Sequence, residues 1–114
     1  MTILRIFLVA VFIALTVYTL VVAAEFGWIL GDVFFRDLTA PNWAGQFNLD
    51  FLTYLWLSAL WLAWRHHFSP VGIILALIAS VGGMLFLAVY LLVVSFQTNG
   101  DLKTLLLGQR RADQ

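Results

Sequence analysis

The residues best suited to chemistry are polar side chains near the middle of the chain. At spacings of three and four residues lie Asp50, Tyr54, Ser58, Trp61 and Arg65, and these spacings define one face of a helix. An ionised carboxylate deep in a bilayer costs about 2.5–3.5 kcal/mol, so an acid in such a segment is a functional candidate. We expect either a proton or ligand site, or an interfacial acid satisfied by hydrogen bonds. The candidate face consists of Asp50, Tyr54, Ser58 and Arg65.

Two adjacent histidines, His66 and His67, follow this segment. They suggest a haem, pigment or metal ligand. Neighbouring positions on a helix point about 100° apart, so the two imidazoles cannot easily bind one ion. At a membrane boundary, His, Arg and Trp more often contact lipid headgroups. We therefore expect no cofactor and no metal, and keep a haem- or pigment-binding subunit as an alternative.

Other catalytic patterns are missing from the sequence. There is no cysteine, which removes thiolate chemistry, disulfides and cysteine-ligated metals. No glycine-rich phosphate loop, paired metal-spaced histidines or nucleophile beside a base occurs. The six Lys and Arg residues are scattered, so no basic footprint for a nucleic acid exists. We expect a protein that is not an enzyme and has no nucleic-acid partner.

The composition indicates which elements carry these residues. Of the 114 residues, 63% are hydrophobic and 11% are charged. Soluble domains contain about 45–50% apolar and about 25% charged residues. A chain of this size cannot cover a soluble surface with so few charges, so lipid must face the excess apolar surface. We predict an all-α fold, an integral membrane three-helix bundle forming one domain over residues 1–114.

Three apolar runs predict spans at about residues 4–25, 43–66 and 70–97. The first is longer than the ~7–15 residues of a signal-peptide core, which favours a retained span over a cleaved leader. Ser69-Pro70 is typical of a helix start and Asn99-Gly100 of a helix end. A third helix of about 28 residues would reach roughly 42 Å, so it has to tilt or protrude from a ~30 Å apolar core.

Two segments are predicted outside the spans. Residues 26–40 mix aromatic and charged side chains, which suits the headgroup layer and predicts a short interfacial helix around Trp28–Asp37. The tail, residues 98–114, is expected to carry a short C-terminal helix that begins at Asp101.

Small residues recur at helical spacing in the third span. They are Gly72, Ala76, Ser80 and Gly83. In lipid, small side chains let backbones approach closely and so drive helix association. The first span has Ala10 and Ala14 at the same spacing. We expect these strips to pack the bundle internally, with a dimer face as the second choice.

Orientation follows from the placement of basic residues. Three crossings would put Arg5 and Arg65 on one side of the membrane. The other side would hold Arg36, Lys103, Arg110 and Arg111. The raw count favours a cytoplasmic carboxyl tail, whereas the first span and the short loop after Arg65 favour a cytoplasmic amino terminus. We favour the amino terminus inside.

The layout also resembles a family of small bacterial three-span integral-membrane proteins of unknown function. The resemblance covers nearly the whole chain. It rests on Asn48-Leu49-Asp50-Phe51, Trp61 to Arg65, Gly83, Tyr90, Gly100-Asp101 and Leu105-Leu106-Leu107. It implies a location in the bacterial inner membrane and assigns no catalytic residue or cofactor.

These observations favour a small membrane protein of unknown activity that acts as a structural or accessory subunit. Its expected partners are the lipid bilayer and either further copies of itself or other membrane subunits, because three helices leave much surface that a lone bundle cannot bury. A binder or carrier of a lipid or small hydrophobic molecule is the alternative.

Overall fold

The computed structural model describes residues 1–28, 30–39 and 42–114, and the regular elements within these ranges are all helices. The all-α prediction is thereby confirmed. In chain order the helices are α1 (Thr2–Phe26), α2 (Leu30–Thr39), α3 (Trp43–Arg65), α4 (Pro70–Gln97), α5 (Leu102–Leu107) and α6 (Gln109–Ala112). The expected interfacial segment, 26–40, contains α2, while Ile29 and Ala40 of that segment lie outside the described residues.

Judged by total length and composition alone, two of these helices, α1 and α4, could cross a membrane. Only 6% of the most apolar stretch of α1 is buried within the protein, which distinguishes α1 from the core helix of a soluble domain. The chain therefore exposes apolar helical surface of the kind that lipid covers. Helix α3 is not one of the two, because Gln46, Asn48 and Asp50 lower the hydropathy of its first turns.

Helix α4 bends sharply at Gly83. The backbone angles there are φ 61° and ψ −147°, a conformation open almost only to glycine. The bend divides α4 into a first arm, 70–82, and a second arm, 84–97. A side-chain carbon built at Gly83 would lie 3.3 Å from the Phe51 ring and 3.7 Å from Leu55. The bend therefore contacts the middle of α3.

The two arms run in opposite directions along the same half of α3. At the start of the first arm, Gly72 lies against Ala63 and His66. On the second arm, Tyr90 also reaches His66, with 2.6 Å between the Tyr90 hydroxyl and His66 Nε2. In a straight helix, residues 72 and 90 would be about 27 Å apart, too far for both to touch one histidine. The expectation of a straight third helix that tilts or protrudes is thus corrected: α4 folds back as a hairpin.

Both termini consequently meet the turn between α3 and α4 at one end of the bundle. Near the amino terminus, Arg5 donates hydrogen bonds to Ser95 at the end of the second arm. The tail returns to the end of α3, where Arg65 donates to the carbonyl oxygen of Leu105. The tail was expected on the side opposite Arg65, and that placement is corrected. The expectation failed because it assumed that α4 crosses the bundle.

Helix α2 lies at the opposite end, packed against the first half of α3. Asn48 of α3 donates from its side-chain amide to the carbonyl oxygen of Phe34, at 3.0 Å. The start of α3 is fixed by Asn42, whose side chain accepts a hydrogen bond from the Gly45 amide at 2.8 Å, so one otherwise unpaired donor of the first turn is satisfied.

The core lies where both arms and the tail converge on α3. Its buried members are Leu62, Ala79, Tyr90, Val94 and Leu105. They come from α3, from both arms of α4 and from α5, so the hairpin and the tail share one apolar cluster. Helix α1 adds mainly Leu8, which is 1% exposed.

Candidate functional site

The most connected polar side chain in the described structure is Arg65, the last residue of α3. Its Nε donates to the carbonyl oxygen of Leu105 at 2.7 Å and its Nη2 to that of Thr104 at 3.3 Å. Its Nη1 donates to the Tyr90 hydroxyl at 3.2 Å. A guanidinium presents its donors in a fixed planar fork. Arg65 therefore joins α3, the second arm of α4 and the tail at one point.

The hydrogen bonds continue from Arg65 through Tyr90 to His66. Because the Tyr90 oxygen accepts from Arg65, its own proton is available to the neutral Nε2 of His66, 2.6 Å away. A His66 that accepts this proton is neutral and carries its own proton on Nδ1. Burial lowers the pKa of His66, and the nearby Arg65 and His67 lower it further. The neutral histidine is thus the form that fits the cluster.

The tail adds two contacts to the last turns of α3. Trp61 donates from Nε1 to the carbonyl oxygen of Leu106 at 3.1 Å. Arg111 donates to the carbonyl oxygen of Trp64 and lies over the Trp64 ring, 4.0 Å from its centroid. A cation above the face of an indole ring is attracted electrostatically to that ring. The end of α3 therefore holds the tail through side chains on both partners.

Glycine at position 108 allows this close approach. Its φ is +84°, and a side-chain carbon there would lie 3.0 Å from the carbonyl oxygen of Arg65. Any side chain would be strained by the backbone and crowded by α3. Gly108 therefore lets the chain pass directly over the end of α3, between α5 and α6.

A second arginine joins α1 to the same end of the bundle. Arg5 donates from Nε to the Ser95 hydroxyl at 3.0 Å and from Nη2 to the Ser95 carbonyl oxygen at 2.8 Å. Its guanidinium also lies 4.0 Å from the centroid of the Phe96 ring. Ser95 is fully buried. Its hydroxyl donates to the Leu92 carbonyl oxygen and its carbonyl oxygen accepts from the Gly100 amide, and the bonds from Arg5 add to these.

The predicted polar face is not assembled into one site. Asp50 is exposed, and no hydrogen bond from the described part of the chain reaches its carboxylate. Tyr54 is 68% exposed, and Ser58 is half-buried. Arg65 instead contacts the tail and Tyr90. The helical spacing placed the four residues on one side of α3 but could not show that the tail engages only the last of them.

Two of these residues line an open groove between α3 and the bend of α4. The groove has a volume of about 490 Å³. Tyr54 and Ser58 contribute its hydroxyl groups, and Gly83 and Leu87 close it on the α4 side. A second open groove of about 470 Å³ lies between the end of α1 and α2, lined by residues such as Tyr18, Phe26 and Val33. Both are mainly apolar.

The predicted packing residues of α4 occupy different positions. Gly72 is buried against His66 and Ala63. Ala76 and Ser80 are half-buried, and the Ser80 hydroxyl donates to its own helix at the Leu77 carbonyl oxygen. Gly83 forms the bend. A strip at this spacing can equally describe a straight packing face, so the sequence offered no sign that its last member reverses the helix.

The charged residues are divided between the two ends. One end, which we call the basic end, carries Arg5, Arg65, Lys103, Arg110 and Arg111 together with Asp101 and Asp113. The opposite end carries Arg36 together with Glu25, Asp32, Asp37 and Asp50. Burial and the nearby Arg111 and Arg110 lower the pKa of His67, which also belongs to the basic end. The two ends therefore have charges of opposite sign.

Within the described residues no group of three or more His, Cys, Asp or Glu side chains is placed to hold a metal ion. The hydrogen bond between His66 and Tyr90, like the engagement of Arg65 by the tail, had no signal in the sequence beyond the residue types.

Comparison of the chain with protein-family models, curated proteins and solved structures finds no match. The resemblance to a three-span bacterial family accordingly stays a prediction.

Proposed function

We propose that this chain is a non-enzymatic integral membrane protein of the bacterial inner membrane, acting as a structural or accessory subunit. The observation that supports this most directly is the surface of α1. Of its 25 residues only Leu8 is buried, although the helix carries no charged residue from Ile6 to Ala24. Lipid covers such a surface, and in lipid it can also pack against another helix.

The fold supports a specific arrangement in the membrane. Helices α1 and α3 cross the bilayer, and α4 enters and leaves on the same side as a re-entrant hairpin. Each arm is about 20 Å long at 1.5 Å per residue, less than the ~30 Å apolar core. Because basic residues favour the cytoplasmic side, the basic end, including both termini, is cytoplasmic. This revises the expected three-span bundle to two crossings and a hairpin.

Single cysteines test this arrangement directly, since the chain has none of its own. Cysteines replace the exposed residues Thr2, Thr39 and Gln109, one variant at a time. A membrane-impermeant maleimide applied to intact cells is expected to label only Thr39→Cys. The Thr2→Cys and Gln109→Cys variants should react only after the membrane is opened. Labelling of Thr2→Cys and Gln109→Cys from opposite sides would disprove the hairpin arrangement.

Association through α1 is the part of the proposal that concerns function. Ala10 and Ala14, expected to pack inside the bundle, are exposed on the side of α1 that faces away from α4. Small side chains there permit close approach of a second helix. Cysteine at Ala10 or Ala14 should give an oxidised dimer or a cross-link to a membrane subunit, whereas the control Phe12→Cys, on the opposite side of α1, should not. A detergent-corrected mass of one chain, with no cross-link at either alanine, would refute association.

A binder of lipid or another hydrophobic molecule is the second candidate, and the groove beside Gly83 favours it. Its apolar walls and two hydroxyls suit an acyl chain with a polar group. Native mass spectrometry of the purified protein should then show a retained ligand that Ser58→Trp displaces, while Leu60→Trp outside the groove does not. A wild-type protein that retains no ligand would remove this candidate.

A further inference from the structure

Two cations of the tail are exposed, and a third is only partly used by contacts within the fold. Of the five at the basic end, Arg5 and Arg65 are used internally, on Ser95 and on the tail carbonyl oxygens. Lys103 and Arg110 are exposed, and their side chains take part in no hydrogen bond with the described part of the chain. Arg111 uses Nη1 on the Trp64 carbonyl oxygen and keeps its other donors available.

The acids of the basic end bond to neutral groups and not to these cations. Asp101 accepts a hydrogen bond from the Thr104 hydroxyl at 2.5 Å. Asp113 accepts from the Gln109 side-chain amide at 3.1 Å through each of its oxygens. Each carboxylate is therefore bonded to a neutral group of its own helix. With five basic and two acidic side chains, the basic end keeps an excess of positive charge that can attract a partner outside the chain.

The surroundings of the three cations match the boundary between headgroups and acyl chains. Trp64, under Arg111, is 36% exposed, and Phe68 and Phe96 at the same end are 55% and 62% exposed. Exposed aromatic rings beside basic residues are typical of the headgroup layer. A guanidinium can bind a phosphate through two parallel hydrogen bonds, and an ammonium binds it as a point charge.

We propose that Lys103, Arg110 and Arg111 bind the phosphates of anionic phospholipids at the cytoplasmic leaflet, with the Trp64 ring at the acyl boundary. The inference rests on the proposed function, because it requires the tail to lie at headgroup level. It adds a chemical preference: the tail selects lipids that carry net negative charge over zwitterionic ones. An anionic leaflet attracts each nearby basic residue, and the attraction is screened by salt.

The test measures which lipid stays bound to the purified full-length chain. The protein is reconstituted in nanodiscs containing equal amounts of phosphatidylglycerol and phosphatidylcholine, then released and examined by native mass spectrometry. Wild type should retain phosphatidylglycerol several-fold over phosphatidylcholine. The triple variant K103Q/R110Q/R111Q should lose most of this preference and retain the two lipids in nearly equal amounts. The variant R36Q removes one charge from the opposite end and should keep it.

The double variant K103Q/R110Q guards against a structural artefact, because it alters only exposed side chains and leaves Arg111 on Trp64. It should retain an intermediate preference, and 0.5 M NaCl should reduce the wild-type preference. Equal retention of both lipids by wild type, or an unchanged preference in the triple variant, would overturn the inference while leaving membrane insertion intact. A chain that stays folded in buffer without lipid or detergent would instead overturn the proposed function.

Discussion

Replacement of Gly83 by alanine tests the hairpin, on which the topology depends. The backbone at Gly83, with φ 61° and ψ −147°, is strained for any residue with a side chain by about 1–3 kcal/mol. The new carbon would also lie 3.3 Å from the Phe51 ring, so that ring would have to move. Together these effects should lower the free energy of unfolding by about 2–4 kcal/mol. Alanine in addition favours a continuous helix, which would separate the arms.

Thermal unfolding in detergent, followed by circular dichroism, measures the loss. A chain of this length should melt on the order of 10 °C lower. The matched control is Gly31→Ala in α2, where an added carbon meets nothing within 4 Å and the backbone is helical. That control should be neutral, or more stable by up to about 1 kcal/mol.

The reasoning would be refuted if the Gly83→Ala and Gly31→Ala variants had the same melting temperature. The same conclusion would follow if Gly83→Ala left the tail as resistant to trypsin as it is in wild type. If the arms separate, Tyr90 and the tail cannot both stay in contact with Arg65. Loss of the bend must therefore change both the melting temperature and the resistance of the tail to trypsin.

Three further predictions concern the contacts at the basic end. Arg65→Lys keeps the charge but loses the fork that reaches Thr104, Leu105 and Tyr90; trypsin should cut after Lys103 and Arg110 faster, and an unchanged cleavage rate would contradict the assigned role. Arg5→Gln should lower the free energy of unfolding by roughly 1.5–3 kcal/mol and speed hydrogen exchange in the first turns of α1. Exchange equal to that of wild type would show that the Ser95 contact is dispensable. Because the lowered pKa of His66 favours its neutral form in the folded state, its contribution to stability should be complete above the ordinary histidine pKa of about 6.5 and decline as the pH falls below it. His66→Gln should flatten this decline, and an equally steep decline in that variant would exclude His66 as its source.

The helical nature of the chain could be predicted because local composition determines it. Long apolar runs, the Ser69 cap and Asn99-Gly100 after α4 are all local signals, and the regular elements of the described ranges are all helices. The reversal at Gly83 could not be predicted in the same way. Glycine is common inside apolar helices, and such helices are usually straight at the glycine. The contact with Phe51 that accompanies the bend joins residues far apart in sequence.

The candidate site was predictable only in part for the same reason. Spacing alone placed Asp50, Tyr54, Ser58 and Arg65 on one side of α3. The groups that engage Arg65 are main-chain oxygens of the tail and the hydroxyl of Tyr90. Backbone carbonyls have no sequence signature, since every residue carries one. The orientation could not be predicted for the same reason, because the side assigned to the tail cations depended on whether α4 crosses the bundle.

The bend at Gly83 also has an electrostatic consequence. It brings the carboxyl end of one helical segment next to the amino end of another, and these ends carry partial charges of about −0.5 and +0.5. Placed side by side in antiparallel segments, the two partial charges largely cancel. A hairpin tip can therefore sit deep in hydrocarbon at lower cost than the isolated end of a single helix. The tip beside Phe51 and Leu55 therefore carries little net partial charge, whereas the two ends of the molecule carry charges of opposite sign.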